Sequence, residues 1–325
     1  MTSIREVAKI AGVSPATVSR VMNGTANVNE EKRKRVQKAI EQTGFQPNEL
    51  ARALYKKSSK IIGIIVPDIE NPFFSELAKA VEDKAYQNGY RILLCSSGDD
   101  WEKEAANIQM LIQMRAEGIV VMTNCAETGK VLAECPVPVI LVDRKLEGAQ
   151  EKAMIESDNY KGGYLATEHL IQKGCKKIVF FRDPAGYSSG QKRQEGYLDV
   201  CEKYGIEKRQ VDCPYDYDSG LKAAKKALEL YPDMDGVLAS NDIVAMSVYK
   251  VLKKHGKRVP EDVQLVGYDD VGFGRLFTPE LTTVHQPILE MGHLAAEIIL
   301  KAVDGEKYEK QNTFDVRLIE RETTK

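Results

Sequence analysis

The chain has 325 residues, which is too many for one compact core and predicts two or three domains. Apolar residues make up 43% and charged residues 29%, the proportions of a soluble globular protein, and no apolar run reaches the roughly 18 residues of a membrane-spanning helix. The first residues lack the apolar core of a secretion signal, so we expect a cytoplasmic protein.

Charge is divided unevenly along the chain. Residues 1–60 hold twelve lysines and arginines against five acidic residues, whereas the remainder holds 34 against 43. A basic head on an acidic body indicates that only the head meets a polyanion such as DNA, although a solvated basic surface would show the same pattern.

The head, residues 1–46, has the signals of a helix-turn-helix. Ser3 caps a first helix, and Gly12 ends it because glycine adopts positive φ at little cost. Ser14 and Pro15 then begin a second helix after a very short turn, and a third helix is predicted from about residue 30 to 43. In this motif the second helix enters the major groove by its N-terminal end, and Arg20 is suited to read a guanine edge. The predicted DNA contacts are Ser14, Pro15, Ala16, Thr17, Ser19, Arg20 and Asn23.

Two segments of the head resemble a known family. The run from Gly12 to Asn23, GVSPATVSRVMN, resembles the G-V-S-x-x-T-V-S-R-V-x-N signature of the lactose/galactose repressor family, and the similarity extends over essentially the whole chain. The segment PNELARAL, which begins at Pro47, resembles the hinge helix of that family. Alone, this short segment is either a flexible tether or a helix that forms only on DNA.

The resemblance implies a role for residues 47–59 as a hinge helix and linker. It implies DNA contacts by Asn48, Ala51 and Leu54, with Leu54 wedged into the minor groove. One wedge comes from each subunit, so the resemblance also implies a homodimer on near-palindromic operator DNA. No leucine heptads follow the last predicted strand, which favours a dimer over a tetramer.

The body, residues 60–325, alternates strand-like apolar runs with amphipathic helical stretches. This alternation predicts an α/β fold in which helices cover both faces of parallel sheets. The apolar runs are Ile61–Val66, Arg91–Cys95, Gly118–Met122, Val137–Val142, Lys177–Phe181, Gly236–Ala239 and Val263–Gly267. They suit two doubly wound lobes, the first covering about residues 60–160 and 288–310 and the second about residues 161–287 and 311–325.

Polar and aromatic side chains follow many of the predicted strands. Ligands of doubly wound sheets bind beyond the carboxyl ends of the strands, where such residues would converge. Carboxylates and arginines form charge-assisted hydrogen bonds with hydroxyl groups, and aromatic rings cover the apolar faces of a sugar, so the set suits a polyhydroxylated ligand. Taken singly, most of these residues also suit turns.

The body resembles the periplasmic ribose-binding protein and its repressor relatives, which implies a two-lobed periplasmic-binding-protein-like fold. Carried over by position, the resemblance implies ten ligand contacts: Asn71, Phe73, Phe74, Asp143, Arg144, Arg193, Tyr217, Asn241, Asp269 and Gln286. Nine match in residue type, whereas Tyr217 stands where phenylalanine is usual and adds a hydroxyl that requires a partner when buried.

Together these features predict a transcriptional repressor of a sugar operon that a small sugar, in first place D-ribose, releases from its operator. The segment YDYDSGL, from Tyr215 to Leu221, resembles catabolite control proteins that use a serine-phosphorylated carrier protein as co-repressor, which is the alternative within the family. A sugar-transport binding protein is the alternative of another class, and the helix-turn-helix argues against it.

Enzymatic and metal-binding functions are not expected. The sequence has no G-x-S-x-G, no Walker A loop and no G-x-G-x-x-G after a strand. Its six cysteines and four histidines lack the spacing of metal ligands, so neither a metal nor a cofactor is predicted.

Overall fold

The computed structural model describes residues 3–23, 28–45, 58–123, 125–146, 149, 151–184 and 186–325. The chain divides into two units, Met1–Ser59 and Lys60–Lys325. Most of the predicted hinge, including Asn48, Ala51 and Leu54, lies outside the described residues. No helix in the described ranges is both long and apolar enough to cross a bilayer.

The first unit contains three helices, α1 (Ile4–Ala11), α2 (Pro15–Asn23) and α3 (Glu30–Thr43). The predicted caps are present: Ser3 Oγ accepts a hydrogen bond from the Glu6 N–H, and Gly12 ends α1 at φ 63°. The three helices bury a small apolar core of Val7, Ala8, Ala11, Val18, Val36 and Ala39. These contacts hold α2 against α1 and α3 and leave its other face to solvent.

The second unit begins with a lobe built on a parallel sheet. Its strands are β1 (Ile61–Val66), β2 (Arg91–Ser96), β3 (Gly118–Val121), β4 (Val139–Val142), β5 (Ala153–Ser157) and β11 (Gln311–Phe314), in the order β11-β5-β4-β3-β1-β2. Helices α4 (Pro72–Gln87) and α11 (Ile288–Val303) share an apolar core with one face, and α5 (Trp101–Gln113) and α6 (Ala126–Ala133) with the other. We call this the first lobe.

The second lobe repeats this arrangement. Its strands are β6 (Ile178–Arg182), β7 (Arg209–Asp212), β8 (Gly236–Leu238), β9 (Gln264–Asp269), β10 (Thr282–His285) and β12 (Arg317–Ile319), in the order β12-β10-β9-β8-β6-β7. Strand β12 is antiparallel to β10. Helices α7 (Asn159–Gln172) and α8 (Ser188–Tyr204) cover one face, and α9 (Tyr217–Leu230) and α10 (Asp242–Lys254) the other. The predicted two-lobed, doubly wound α/β fold is confirmed.

The chain passes between the lobes three times, after β5, after β10 and after β11. The first two passages agree with the predicted boundaries near residues 160 and 287. The third does not, because Gln311–Phe314 pairs in parallel with β5 and so belongs to the first lobe. The predicted boundary at residue 311 is therefore wrong, and the second lobe resumes only at β12.

Helices α7 and α8, on one face of the second-lobe sheet, pack closely against each other. A Cβ on Gly163 would lie 2.1 Å from the Arg193 carbonyl oxygen, and one on Gly196 would lie 2.3 Å from the Tyr160 carbonyl oxygen. Only glycine lets the two backbones approach so closely. The approach brings the side chain of Arg193 to the carboxyl end of the sheet.

We expect Gly163→Ala to lower the free energy of unfolding by about 1–3 kcal/mol, because α7 and α8 must separate to admit the methyl group. Lys161→Ala, which removes an exposed ion pair with Asp315 from the same helix, should cost less than about 1 kcal/mol and serves as the control. Urea denaturation of the full chain measures both. Equal stability of the two variants would show that the helices adjust without strain.

Candidate functional site

A polar pocket lies between the two lobes at the carboxyl ends of their strands. It is lined by nine of the ten residues predicted from the sequence: Asn71, Phe73, Phe74, Asp143, Arg144, Arg193, Asn241, Asp269 and Gln286. The tenth lining residue is Tyr215, not Tyr217. The structure thus brings together residues that are up to about two hundred positions apart, and their role in binding stays a prediction.

The asparagines reach the pocket because each begins a helix. Asn71 caps α4 by accepting a hydrogen bond from the Phe73 N–H at 3.1 Å, and Asn241 caps α10 by accepting from the Val244 N–H at 2.8 Å. These asparagines can therefore begin a helix, as turn residues do, and also line a binding pocket. The same caps that start the helices place two amide groups at the pocket.

Arg144 anchors the first-lobe side of the pocket. Its Nη1 donates to Asp99 Oδ1 at 3.0 Å, and its Nε lies 3.8 Å from Asp143 Oδ2. Its guanidinium lies 3.9 Å from the ring centroid of Tyr187, a residue of the second lobe. Tyr187 also donates its hydroxyl to Asp99 Oδ2 at 2.9 Å, so this network spans the two lobes.

Arg193 anchors the opposite side. Its Nε donates to Asn159 Oδ1 at 2.8 Å and its Nη1 to the Ser240 carbonyl oxygen at 2.7 Å. The guanidinium lies 3.7 Å from the ring centroid of Tyr268, and its Nη2 is 4.0 Å from Asp269 Oδ1. These contacts compensate a charged side chain that is only 4% exposed.

Asp269 is the most strongly perturbed carboxyl group of the pocket. Burial raises its pKa well above the usual range, against the opposing effect of the Arg193 charge. Gln286 Nε2 donates to Asp269 Oδ1 at 2.7 Å. The amide of Gln286 is thereby oriented with its oxygen away from this bond.

Several buried polar atoms at the pocket have no hydrogen-bond partner within the described residues. They include Asp143 Oδ1, the Tyr215 hydroxyl and Gln286 Oε1. Leaving such a group unsatisfied costs about 1–3 kcal/mol, so a folded protein rarely retains several of them together. A ligand that donates hydrogen bonds would satisfy the two acceptors, Asp143 Oδ1 and Gln286 Oε1.

Backbone strain is concentrated at the same place. Asp99, Asp143 and Asp269 have φ values of 57°, 69° and 113°, in the left-handed region that side-chain-bearing residues seldom adopt. Each strained residue costs roughly 1–3 kcal/mol and persists where the surrounding structure imposes it. The strain aims these carboxylates at the space between the lobes.

Tyr217 does not line the pocket, contrary to expectation, and Tyr215 lines it instead. Asp216 caps α9 by accepting from the Ser219 N–H, so Tyr217 starts the helix on the outer surface, where it is 38% exposed. Its hydroxyl accepts a hydrogen bond from Lys250 at 2.6 Å. Tyr215 lies in the bend that precedes α9 and lines the pocket, with its ring centroid 5.8 Å from that of Tyr187.

Asp99, Tyr187 and Asn159, which were not among the predicted residues, contact the two arginines of the pocket. Asp99 could have been found, because Gly98-Asp99-Asp100 directly follows β2 just as the other pocket residues follow their strands. Tyr187 is the N-cap residue of α8 and Asn159 is the first residue of α7, and neither carries a comparable sequence signal.

Above this pocket lies a wider outer cavity of about 490 Å³, compared with about 20 Å³ for the inner pocket. The two share Asn71, Phe74, Arg144 and Tyr215 as lining residues, so one opens into the other. The inner space is sufficient for about one water molecule.

The helix-turn-helix presents most of its predicted contact residues to solvent. Ser14, Pro15, Ala16 and Arg20 are exposed, and Thr17 and Ser19 are half-buried. Ser14 Oγ accepts a hydrogen bond from the Thr17 N–H at 3.2 Å and so caps α2. The side chain of Asn23 lies outside the described residues.

Family models match both parts of the chain. Residues 3–48 match the model of bacterial regulatory proteins, lacI family, and residues 167–324 match that of a periplasmic binding protein-like domain. The ribose operon repressor of Halalkalibacterium halodurans is 38% identical, with 100% of this chain and 98% of that repressor aligned.

Solved structures of similar proteins extend this comparison. The Lac repressor dimer bound to operator and the anti-inducer ONPF has a TM-score of 0.88 and 25% identity, with 99% of both chains covered. A periplasmic binding protein/LacI transcriptional regulator from Alkaliphilus metalliredigens, complexed with D-xylulofuranose, has a TM-score of 0.76 and 34% identity, covering 82% of this chain and 99% of its own.

The two tyrosines provide a matched test of the pocket assignment. Tyr215→Phe removes a buried hydroxyl without a partner, so it should raise the free energy of unfolding of the ligand-free protein by about 1 kcal/mol. Tyr217→Phe removes an exposed hydroxyl and should change it by less than about 0.5 kcal/mol. Urea denaturation distinguishes them, and a loss of stability in Tyr215→Phe would contradict the assignment.

Proposed function

This chain belongs to the lacI family of bacterial regulatory proteins, and on that basis we propose that it is the transcriptional repressor of a sugar operon. A small sugar binds between the lobes and releases the protein from operator DNA. D-ribose is the first candidate for this sugar. The observation that carries the proposal is the buried pocket at the strand ends, whose unpartnered acceptors require a hydrogen-bond donor.

The chemistry of the pocket supports a sugar. Asp143 Oδ1 and Gln286 Oε1 are acceptors that hydroxyl groups would satisfy. The rings of Phe73 and Phe74 meet edge to face at a centroid distance of 5.3 Å and offer an apolar wall. Asp143 and Arg144 together match the donor and acceptor sides of neighbouring hydroxyls.

The name of the Halalkalibacterium relative supports ribose, whereas the Alkaliphilus relative was solved with a ketopentose. Both sugars present a small ring with several hydroxyls. The pocket alone therefore favours a pentose-like sugar, and the name of the relative favours ribose.

The lobe contacts explain how binding would reach the DNA-binding unit. In the described conformation Ser189 Oγ donates to Asp143 Oδ2 at 3.3 Å and Tyr187 contacts Asp99, both across the gap between the lobes. An inner space of about 20 Å³ does not hold a whole pentose, so a sugar that reaches these acceptors must displace side chains or widen the space between the lobes. A ligand that prefers one spacing shifts the population towards it, and by linkage changes the affinity for DNA.

On the DNA side, the exposed end of α2 enters the major groove, with Arg20 reading a base edge. A homodimer on a near-palindromic site is supported by the Lac repressor dimer bound to operator, which covers 99% of this chain. The protein would act in the cytoplasm, where the operator is. Neither sugar binding nor DNA binding requires catalysis.

The two alternative functions would require other features of the protein. A sugar-transport receptor would have no use for the helix-turn-helix unit at residues 3–45. A regulator that depends on a phosphorylated carrier protein would bind its operator only with that partner. The YDYDSGL segment does not favour this, because Tyr215 serves the pocket and Asp216 caps α9.

We expect isothermal titration to show D-ribose binding to the full chain, and D-ribose to weaken binding to an operator selected from a randomised DNA pool. D-xylulose and D-xylose are titrated beside it to rank the ligands. The purified protein should bind the operator without any second protein. No binding at millimolar sugar, or tighter operator binding on adding it, would contradict the proposal.

Arg144→Ala should abolish the sugar response and leave operator binding intact, because it removes the guanidinium that holds Asp143 and Asp99 at the pocket. Lys145→Ala is the matched control, since the neighbouring lysine is 58% exposed and pairs with Glu156. Fluorescence anisotropy of labelled operator, with and without sugar, measures both. An Arg144→Ala protein that still responds would place the site elsewhere.

Arg20→Ala should weaken binding to the selected operator by about 1–3 kcal/mol and relax base preference at one position. Repeating the selection from the randomised pool with the variant reads that preference directly. Arg5→Ala, another exposed arginine of the same unit, is the comparison. Unchanged base preference in Arg20→Ala would remove Arg20 from the reading role.

A further inference from the structure

We propose that the mouth of the cleft selects uncharged sugars and rejects their phosphorylated forms, so that the protein senses the free sugar. This inference rests on the proposed function, because it concerns the ligand of the same site. It comes from the charges that line the outer cavity and from the hydrogen-bonding state of the inner pocket, which point in the same direction.

The charged residues that line the outer cavity are four aspartates and one arginine. Asp68, Asp99, Asp183 and Asp216 line a space of about 490 Å³, through which a ligand reaches the inner pocket. Three of them, Asp68, Asp183 and Asp216, hold their carboxylates against backbone N–H groups of Glu70, Tyr187 and Ser219 at 2.8–2.9 Å. These bonds fix the charges at the mouth, where they oppose the entry of a phosphate dianion.

The cations of the cleft are already engaged by the protein. Arg144 contacts Asp99 and Asp143, and Arg193 contacts Asn159, the Ser240 carbonyl oxygen and Asp269. A phosphate group usually requires an arginine or lysine that can turn its donors towards it. Binding one here would require breaking contacts that are buried in both lobes.

Two acceptors of the inner pocket also disfavour a phosphate group. Asp143 is 5% exposed and Gln286 1% exposed, and each directs an unpartnered oxygen into the pocket that the outer cavity joins. Both oxygens accept hydrogen bonds, as do the oxygens of a phosphate dianion, so the two would repel. The hydroxyl group of an uncharged sugar donates and satisfies them.

The three rim carboxylates can be neutralised without removing their backbone bonds. Asparagine keeps a side-chain oxygen that accepts from the same N–H groups, and it caps a helix about as well as aspartate. We therefore use the triple variant Asp68→Asn/Asp183→Asn/Asp216→Asn. Asp99 is left in place because it holds Arg144 and Tyr187.

The matched control removes the same charge elsewhere. The triple variant Glu134→Gln/Glu202→Gln/Glu306→Gln neutralises three exposed carboxylates that do not line either cavity. Any effect of net charge alone on an anionic ligand appears equally in both variants. A difference between the two triple variants therefore measures the charges at the mouth.

The experiment is isothermal titration of the full chain with D-ribose and with D-ribose 5-phosphate, at low and at high ionic strength. The readout is the ratio of the two dissociation constants. We expect the wild type and the control to bind ribose at least about a hundredfold more tightly than its phosphate. In the aspartate triple variant this ratio should fall by about tenfold or more at low salt, and by less at high salt because ions screen exposed charges.

Two results would overturn the selection: wild type that binds ribose 5-phosphate as tightly as ribose, or a ratio that the aspartate triple variant leaves at the wild-type value. These differ from a failure of the proposed function, which would show as no binding of ribose at all. A wild type that binds only the phosphorylated sugar would overturn both.

Discussion

The arrangement of the cleft depends on the cost of burying charge between two lobes. Arg144, Arg193, Asp143 and Asp269 are each at most 5% exposed. An isolated buried charge is prohibitively unfavourable, so each must be compensated by opposite charge, hydrogen bonds or an aromatic face. The two arginine clusters provide that compensation, one on each side, and leave Asp143 Oδ1 and Gln286 Oε1 without a hydrogen-bond partner.

This requirement also connects the lobes. Tyr187 of the second lobe stacks on Arg144 and donates to Asp99 of the first, so the first-lobe cluster is complete only when the lobes approach. A ligand that supplies hydroxyl groups competes with such contacts and replaces them. In the proposed function, a ligand in this pocket would act directly on the contacts that hold the lobes together, which is what a ligand-controlled regulator requires.

Most of the pocket residues were predictable because they follow strands whose apolar runs are easy to recognise. Asn71 follows β1, Asp143 follows β4, Asn241 follows β8 and Asp269 ends β9, and parallel strands bring their carboxyl ends to one edge. Tyr217 was misplaced because two tyrosines stand two positions apart, and only the cap at Asp216 decides which of them faces inwards.

The helix-turn-helix is predictable from the amino-acid sequence through its caps and short turn, and the doubly wound class through the period of the apolar residues. Both signals are local in sequence, so they can be recognised without knowing which distant residues are in contact. The place of β11 in the first lobe, and the contacts of Tyr187 and Asp99 with Arg144, are visible only in the folded chain. These features depend on which distant segments pair in the fold. The strand QNTF is half polar, and its weak alternation of apolar and polar residues does not indicate which strand it pairs with.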